Sequence, residues 1–202
     1  MASVRSEHHG SAGPPGPTAL KAVVSGGFGV GKTTFVAAVS EVRPLRTEEA
    51  LTEAGRPHDS VRGVSGKEIT TVAMDFGRIT LGAAVVLYLF GTPGQERFRL
   101  LREEMAGGAL CAVVLVDTRR LAESFPALDC FEARGVPFVV AVNCFDGAER
   151  HPVGAVRTAL DLAPEVPVVH CDARRRDSVR ETLVTAVEHA GRSTAGRRSA
   201  PR

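Results

Sequence analysis

The residues best suited to chemistry stand together as Gly26-Gly27-Phe28-Gly29-Val30-Gly31-Lys32-Thr33, which matches G-x-x-x-x-G-K-[ST] without a mismatch. Such a loop turns backbone N–H groups inward around a phosphate, and glycine permits the turn. A helix starting at its end adds a dipole that favours negative charge. Lys32 would neutralise the β- and γ-phosphates of a nucleoside triphosphate during transfer, and the Thr33 hydroxyl would ligate Mg²⁺. Thr34 follows, within reach of the same phosphates. The motif specifies phosphate binding but not the base.

A second set, Asn143-Cys144-Phe145-Asp146, directly follows an apolar run that ends at Val142. An Asp carboxylate placed there can accept hydrogen bonds from the N1–H and the exocyclic amine of guanine, a donor pair that adenine lacks. Alone, N-x-x-D after a strand also describes an ordinary loop start. Downstream of a phosphate loop it points to guanine.

These groups need a scaffold to hold them. Residues 20–25 form a short apolar run entering the glycine loop, and 32–42 read as the helix that leaves it, stopped near Pro44. Two strand-like runs, 71–81 and 83–90, join tightly around Gly82 and predict an antiparallel hairpin. The continuous apolar runs 110–117 and 137–143 predict strands buried on both faces. Residues 152–163 and 178–189 are helix candidates. The second opens on a capping box, Ser178 with Glu181, and repeats Val179, Leu183 and Val187 at helical spacing. Alternating strands and helices predict an α/β fold, a doubly wound and mostly parallel sheet with one antiparallel edge strand. Residues 1–18 read as a disordered tail, 19–190 as one domain, and 191–202 as a basic flexible tail. The polar stretch 43–69 reads as a long loop of the functional or mobile kind.

Taken together, the motifs resemble those of the Ras-like small GTPases. That family's second switch reads Asp-Thr-Ala-Gly-Gln-Glu-Arg-Phe, and here Gly91-Thr92-Pro93-Gly94-Gln95-Glu96-Arg97-Phe98 follows an apolar strand. More narrowly, the Phe-Gly-Thr-Pro-Gly-Gln run and Cys171-Asp172-Ala173-Arg174 are similar to the actinobacterial conservon GTPases, which are akin to the bacterial gliding-motility group. The similarity covers residues 21–190. It implies that Gly94 gives its N–H to the γ-phosphate and that Gln95 orients the attacking water. It implies Thr71, with Thr70 as a close rival, as the switch threonine that reaches Mg²⁺ and the γ-phosphate. The Ala173 N–H would meet the guanine carbonyl oxygen. Implied partners are a roadblock-type protein and a sensor-kinase-like protein at the membrane.

Three residues depart from the family pattern. Gly91 stands where an Asp holds a Mg²⁺-bound water, which predicts weaker metal binding. Phe28 stands where glycine is preferred, close to the path of Gln95, which predicts slow hydrolysis. Cys144 replaces a Lys whose stem packs beside the base, which predicts weaker affinity with the same base choice.

Composition narrows the remaining choices. The chain has 202 residues, 44% hydrophobic and 24% charged, as expected of one soluble globular domain. A net charge of +2 is too small to make nucleic acid the main partner. Cys111, Cys130, Cys144 and Cys171 lack metal-ligand spacing and suit a reducing, cytoplasmic setting. With Ala2 after Met1 and no Cys near Arg202, lipid attachment is not expected, so membrane contact would come through a partner. The reading is a GTP-binding switch that slowly hydrolyses GTP. Its rivals are a guanine-nucleotide scaffold without hydrolysis and an ATP-using P-loop enzyme.

Overall fold

The computed structural model describes residues 17–43, 45–51, 70–82 and 85–199. β1 (Thr18–Gly26) runs into the glycine loop and α1 (Lys32–Val39) leaves it. β2 (Leu45–Leu51), β3 (Thr70–Leu81) and β4 (Val85–Gly91) follow, and a 3-10 turn at Glu96–Phe98 leads into α2 (Arg99–Ala106). Next come β5 (Cys111–Val116), a 3-10 stretch at Thr118–Ser124 and α3 (Phe125–Ala133). β6 (Phe138–Asn143), α4 (Val153–Ala159), β7 (Val168–Cys171) and α5 (Arg176–Ser199) complete the order.

The seven strands form one sheet in the order β2-β3-β4-β1-β5-β6-β7. β1 pairs in parallel with β4 and β5, β5 with β6, and β6 with β7. Among the described strands β3 alone runs against the rest, antiparallel to both β2 and β4. The expected α/β sheet, mostly parallel with one reversed strand, is therefore present. The reversed strand lies one place inside the edge, because β2 pairs outside it.

Side-chain alternation along the central strands builds two cores. Ala22, Val24, Val113, Leu115, Val139 and Ala141 face α1 and α5, where they meet Phe35, Val36, Val179 and Leu183. Val23, Ala112, Val114, Val116, Val140 and Val142 face the other way, onto Leu128, Phe131 and Val156 of α3 and α4. Covering both faces is what requires β5, and β6 as far as Val142, to be apolar, and both strands are buried throughout.

Three expectations change. Residues 45–51 of the polar stretch form β2 rather than loop, held by non-local pairing with β3 from Leu45 opposite Phe76 to Leu51 opposite Thr70. Residues 52–69 lie outside the described residues, as do residues 1–16 of the expected N-terminal tail. The C-terminal tail is helical as far as Ser199, since α5 continues beyond Ala190. There Ser193 and Thr194 donate their hydroxyls to the carbonyls of His189 and Ala190, at 2.9 Å each. The same helix starts at Arg176, so Ser178 is not its cap; the Ser178 hydroxyl instead accepts the Asp172 N–H at 3.0 Å.

Candidate functional site

In a parallel sheet, ligands bind beyond the carboxyl ends of the strands, beside the strand where the winding reverses. That end gathers every motif singled out above. The phosphate loop follows β1, the 91–98 segment follows β4, Asn143 to Asp146 follow β6, and Asp172 to Arg174 follow β7.

The loop's shape depends on its bracketing glycines. Gly26 and Gly31 have φ of +136° and +103°. A Cβ on Gly26 would lie 2.2 Å from the Leu115 carbonyl oxygen, and one on Gly31 would lie 2.7 Å from Asn143 Nδ2. Lys32 begins α1 and is only 8% exposed. Its Nζ donates to the carbonyls of Gly26 at 3.1 Å and Gly27 at 2.6 Å. Burial lowers its pKa to about 8; nearby Asp75 opposes the shift and Arg102 reinforces it. Arg102, on α2, is itself buried, and its Nε and Nη1 have no partner among the described residues.

Thr33 Oγ1 donates to Asp75 Oδ2 at 2.6 Å. A hydroxyl and a carboxylate are hard oxygen donors, and Mg²⁺ is commonly held by one or two carboxylates together with substrate phosphates. The residues present therefore fit that ion. A cavity of about 520 Å³ opens here, lined among others by Phe28, Lys32, Thr33, Asp75, Gly94 and Gln95. Thr34 lines it too, exposed on the first turn of α1. Phe28 is 62% exposed and shares the cavity with the exposed Gln95. Thr92 fastens the β4 end to β1: its N–H reaches the Val24 carbonyl at 2.9 Å and its hydroxyl reaches Ser25 Oγ at 3.0 Å. Thr71 lies in β3 opposite Ala50, and the side chains of Thr70 and Thr71 lie outside the described residues.

The residues expected on the base side form a separate cluster. Asn143 Nδ2 donates to the Val30 carbonyl at 2.8 Å, while its Oδ1 accepts the Ala173 N–H at 3.1 Å. Asn143 thus ties the phosphate loop to the loop after β7. Asp146 is exposed, and its Oδ2 accepts from Arg174 Nη1 at 2.7 Å. Arg174 also grips Asp172 through Nε at 2.9 Å and Nη2 at 3.0 Å. These bonds hold both carboxyls below the usual carboxylate range. Cys144 donates its N–H to the Cys171 carbonyl at 2.8 Å. Burial pushes the Cys171 thiol up, which makes it a poor nucleophile.

Four further residues bear on the site without a motif of their own. Arg119 and Arg120 stay partly exposed but are tied to the loops around the site. Arg119 lies 4.2 Å from the Phe145 ring centroid and pairs with Asp117 at 2.8 Å. Arg120 Nη2 donates to the Phe28 carbonyl at 3.1 Å. Arg174 was visible only as part of a family-like run. Asp75 had no local signal, because its neighbours Thr33 and Gly91 come from other elements.

A family model described as "Conserved hypothetical ATP binding protein" matches residues 24–193. An uncharacterized protein of Methanocaldococcus jannaschii is 30% identical over 129 residues, 63% of this chain and 71% of that protein. The circularly permutated Ras protein 1 of Dictyostelium discoideum is 26% identical over 121 residues, 56% of this chain but only 14% of that larger protein. Among solved structures, the Arl6 small GTPase from Trypanosoma brucei superposes with a TM-score of 0.59 at 20% identity, covering 87% of this chain and 99% of that one. The G domain of the T. maritima FeoB iron transporter gives 0.58 at 18% identity, covering 86% and 99%. The fold is that of the small-GTPase P-loop proteins.

Proposed function

The chain belongs to the family described as conserved hypothetical ATP binding proteins, and from that premise we propose that it is a guanine-nucleotide switch. In this reading it binds GTP with Mg²⁺, hydrolyses it slowly to GDP, and signals through partner proteins. The observation that carries it is the cavity where Lys32 and Thr33 of the phosphate loop meet Gly94 and Gln95 of the segment after β4. That juxtaposition couples phosphate recognition to a segment able to report whether a γ-phosphate is present.

The family description names ATP, whereas the base-side residues support guanine. Asp146, kept ionised by Arg174, offers two acceptor oxygens. Guanine presents N1–H and an amine to such a pair, while adenine N1 is itself an acceptor. Lys32 would bind the β- and γ-phosphates, Gly94 N–H would contact the γ-phosphate, and Gln95 would orient the water. Mg²⁺, when bound, supplies charge neutralisation at the phosphates. Thr33 would help to hold it, and Thr71, or its neighbour Thr70, is the candidate switch threonine of the loop–β3 segment. Asn143 and Ala173 complete the base side, with Asn143 acting through the phosphate loop. Phe28 lines the same cavity as Gln95 and would crowd its path, which would favour slow turnover.

The motif resemblance to the conservon group supports roadblock-type and sensor-kinase-like partners and a cytoplasmic protein brought to the membrane by one of them. No helix among the described residues is long and apolar enough to cross a membrane. Single-turnover GTP hydrolysis tests the proposal. Gln95→Leu should bind GTP like the parent but hydrolyse it at least about tenfold more slowly, because the side chain acts only in the transition state. An unchanged rate would remove the hydrolytic mechanism.

A further inference from the structure

Position 91 raises a question that β3 answers. The resembling family keeps a carboxylate there, at the end of the strand beside the phosphate loop, and this chain has Gly91. Asp75 lies directly opposite Gly91 in the antiparallel β3–β4 ladder. Residues facing each other across such a ladder project to the same side of the sheet. A Cβ on Gly91 would sit 3.0 Å from Asp75 Cβ, 3.2 Å from Oδ2 and 3.5 Å from Cγ. The Asp75 side chain therefore already fills the space in which a residue-91 side chain would begin. Its Oδ2 accepts the Thr33 hydroxyl at 2.6 Å, and it lines the same cavity as Lys32 and Gln95.

We infer that Asp75 supplies, from β3, the carboxylate that orients the Mg²⁺ ligands of this site. By accepting a hydrogen bond from the Thr33 hydroxyl, it turns the hydroxyl lone pairs toward the cavity, where Thr33 would help to hold the ion. Asp75 is thus a positioning residue, and it acts through Thr33. Of the charged groups near Lys32, Asp75 exerts the largest pull, so its carboxylate is also placed to balance the loop's positive charge. Glycine at 91 becomes a consequence of this arrangement, because two carboxylates would crowd and repel each other there. The weak metal binding predicted from Gly91 alone is replaced by metal binding that depends on Asp75. This inference rests on the Mg²⁺-dependent nucleotide reading above.

The test follows release of a fluorescent GDP derivative, mant-GDP, while Mg²⁺ is titrated from EDTA upward. In the parent, rising Mg²⁺ slows release and defines a half-saturating concentration. Asp75→Asn should raise that concentration about 10- to 100-fold, the usual cost of losing a group that orients a metal ligand. Asp75→Ser is measured beside it, so that misfolding of one variant, seen by thermal unfolding in EDTA, leaves the other to decide. Moving the carboxylate back, as Asp75→Gly with Gly91→Asp, should recover most of the lost Mg²⁺ dependence. Gly91→Asp alone should not improve on the parent. A half-saturating concentration unchanged in folded Asp75→Asn or Asp75→Ser, or no recovery in the swap, would overturn the assignment while nucleotide binding stood. A parent that failed to bind mant-GDP at all would overturn the nucleotide reading and this inference together.

Discussion

Lys32 ties the chemistry of the phosphate loop to pH. Burial brings the pKa of its ammonium to about 8, so the free protein loses this charge in a mildly alkaline range. A bound triphosphate favours the charged form and raises that pKa. Below about pH 7 the lysine is charged whether or not nucleotide is present, and affinity should not depend on it. Above about pH 8, binding must recapture a proton, and affinity should fall by up to about tenfold per pH unit until the pKa of the complex is passed. Calorimetry in buffers of different ionisation enthalpy should register proton uptake at pH 9 and none at pH 6.5. Proton uptake that is the same at both would place Lys32 away from the phosphates. On the base side, Asp146→Asn should shift preference from guanine toward xanthine nucleotides, whose N–H and C=O pattern complements an amide. Unchanged GDP affinity in that variant would remove the base-site assignment. The phosphate loop was legible in the sequence because its function is local: glycines, lysine and threonine at fixed spacing act on one another's backbone. Asp75, Arg120 and Arg174 were not, because each matters through a partner brought close by strand register or loop packing.

Strands β5 and β6 were readable as elements because burial on both faces leaves an uninterrupted apolar run. β2 was not, since a polar segment becomes a strand here only through its ladder with β3. The end of α5 is hidden from the sequence for a related reason. Gly191, Arg192 and Ser193 look like a loose tail by composition, yet Ala186 and Ala190 are buried against the sheet and carry the helix onward. α1 couples the two levels, since it starts at the lysine of the phosphate loop and buries Phe35, Val36 and Val39 completely. Phe35→Ala should cost about 3–5 kcal/mol of stability, the range for removing a buried aromatic ring. Urea unfolding would show this as a lower midpoint with an unchanged slope. A cost under about 1 kcal/mol would mean that α1 is not packed as described.

At the scale of the whole molecule, a sheet covered on both faces leaves the loops beyond its carboxyl ends as the natural place for a ligand. Phosphate, switch and base motifs all arrive there from different strands. Their convergence is not contained in any one of them, and it makes the nucleotide reading testable as a unit. The chain's family description points to ATP, and Asp146 points to guanine, so base selectivity is where the account is most exposed. The decisive measurement is displacement of mant-GDP by unlabelled GTP, GDP and ATP, with Mg²⁺ and without it. A site built to pair with guanine's donors rejects a base that lacks them by orders of magnitude. GTP and GDP should therefore displace the probe at comparable concentrations, more tightly with Mg²⁺ than without, while ATP fails at about hundredfold excess. Displacement by ATP as effective as that by GTP would contradict the guanine-nucleotide switch.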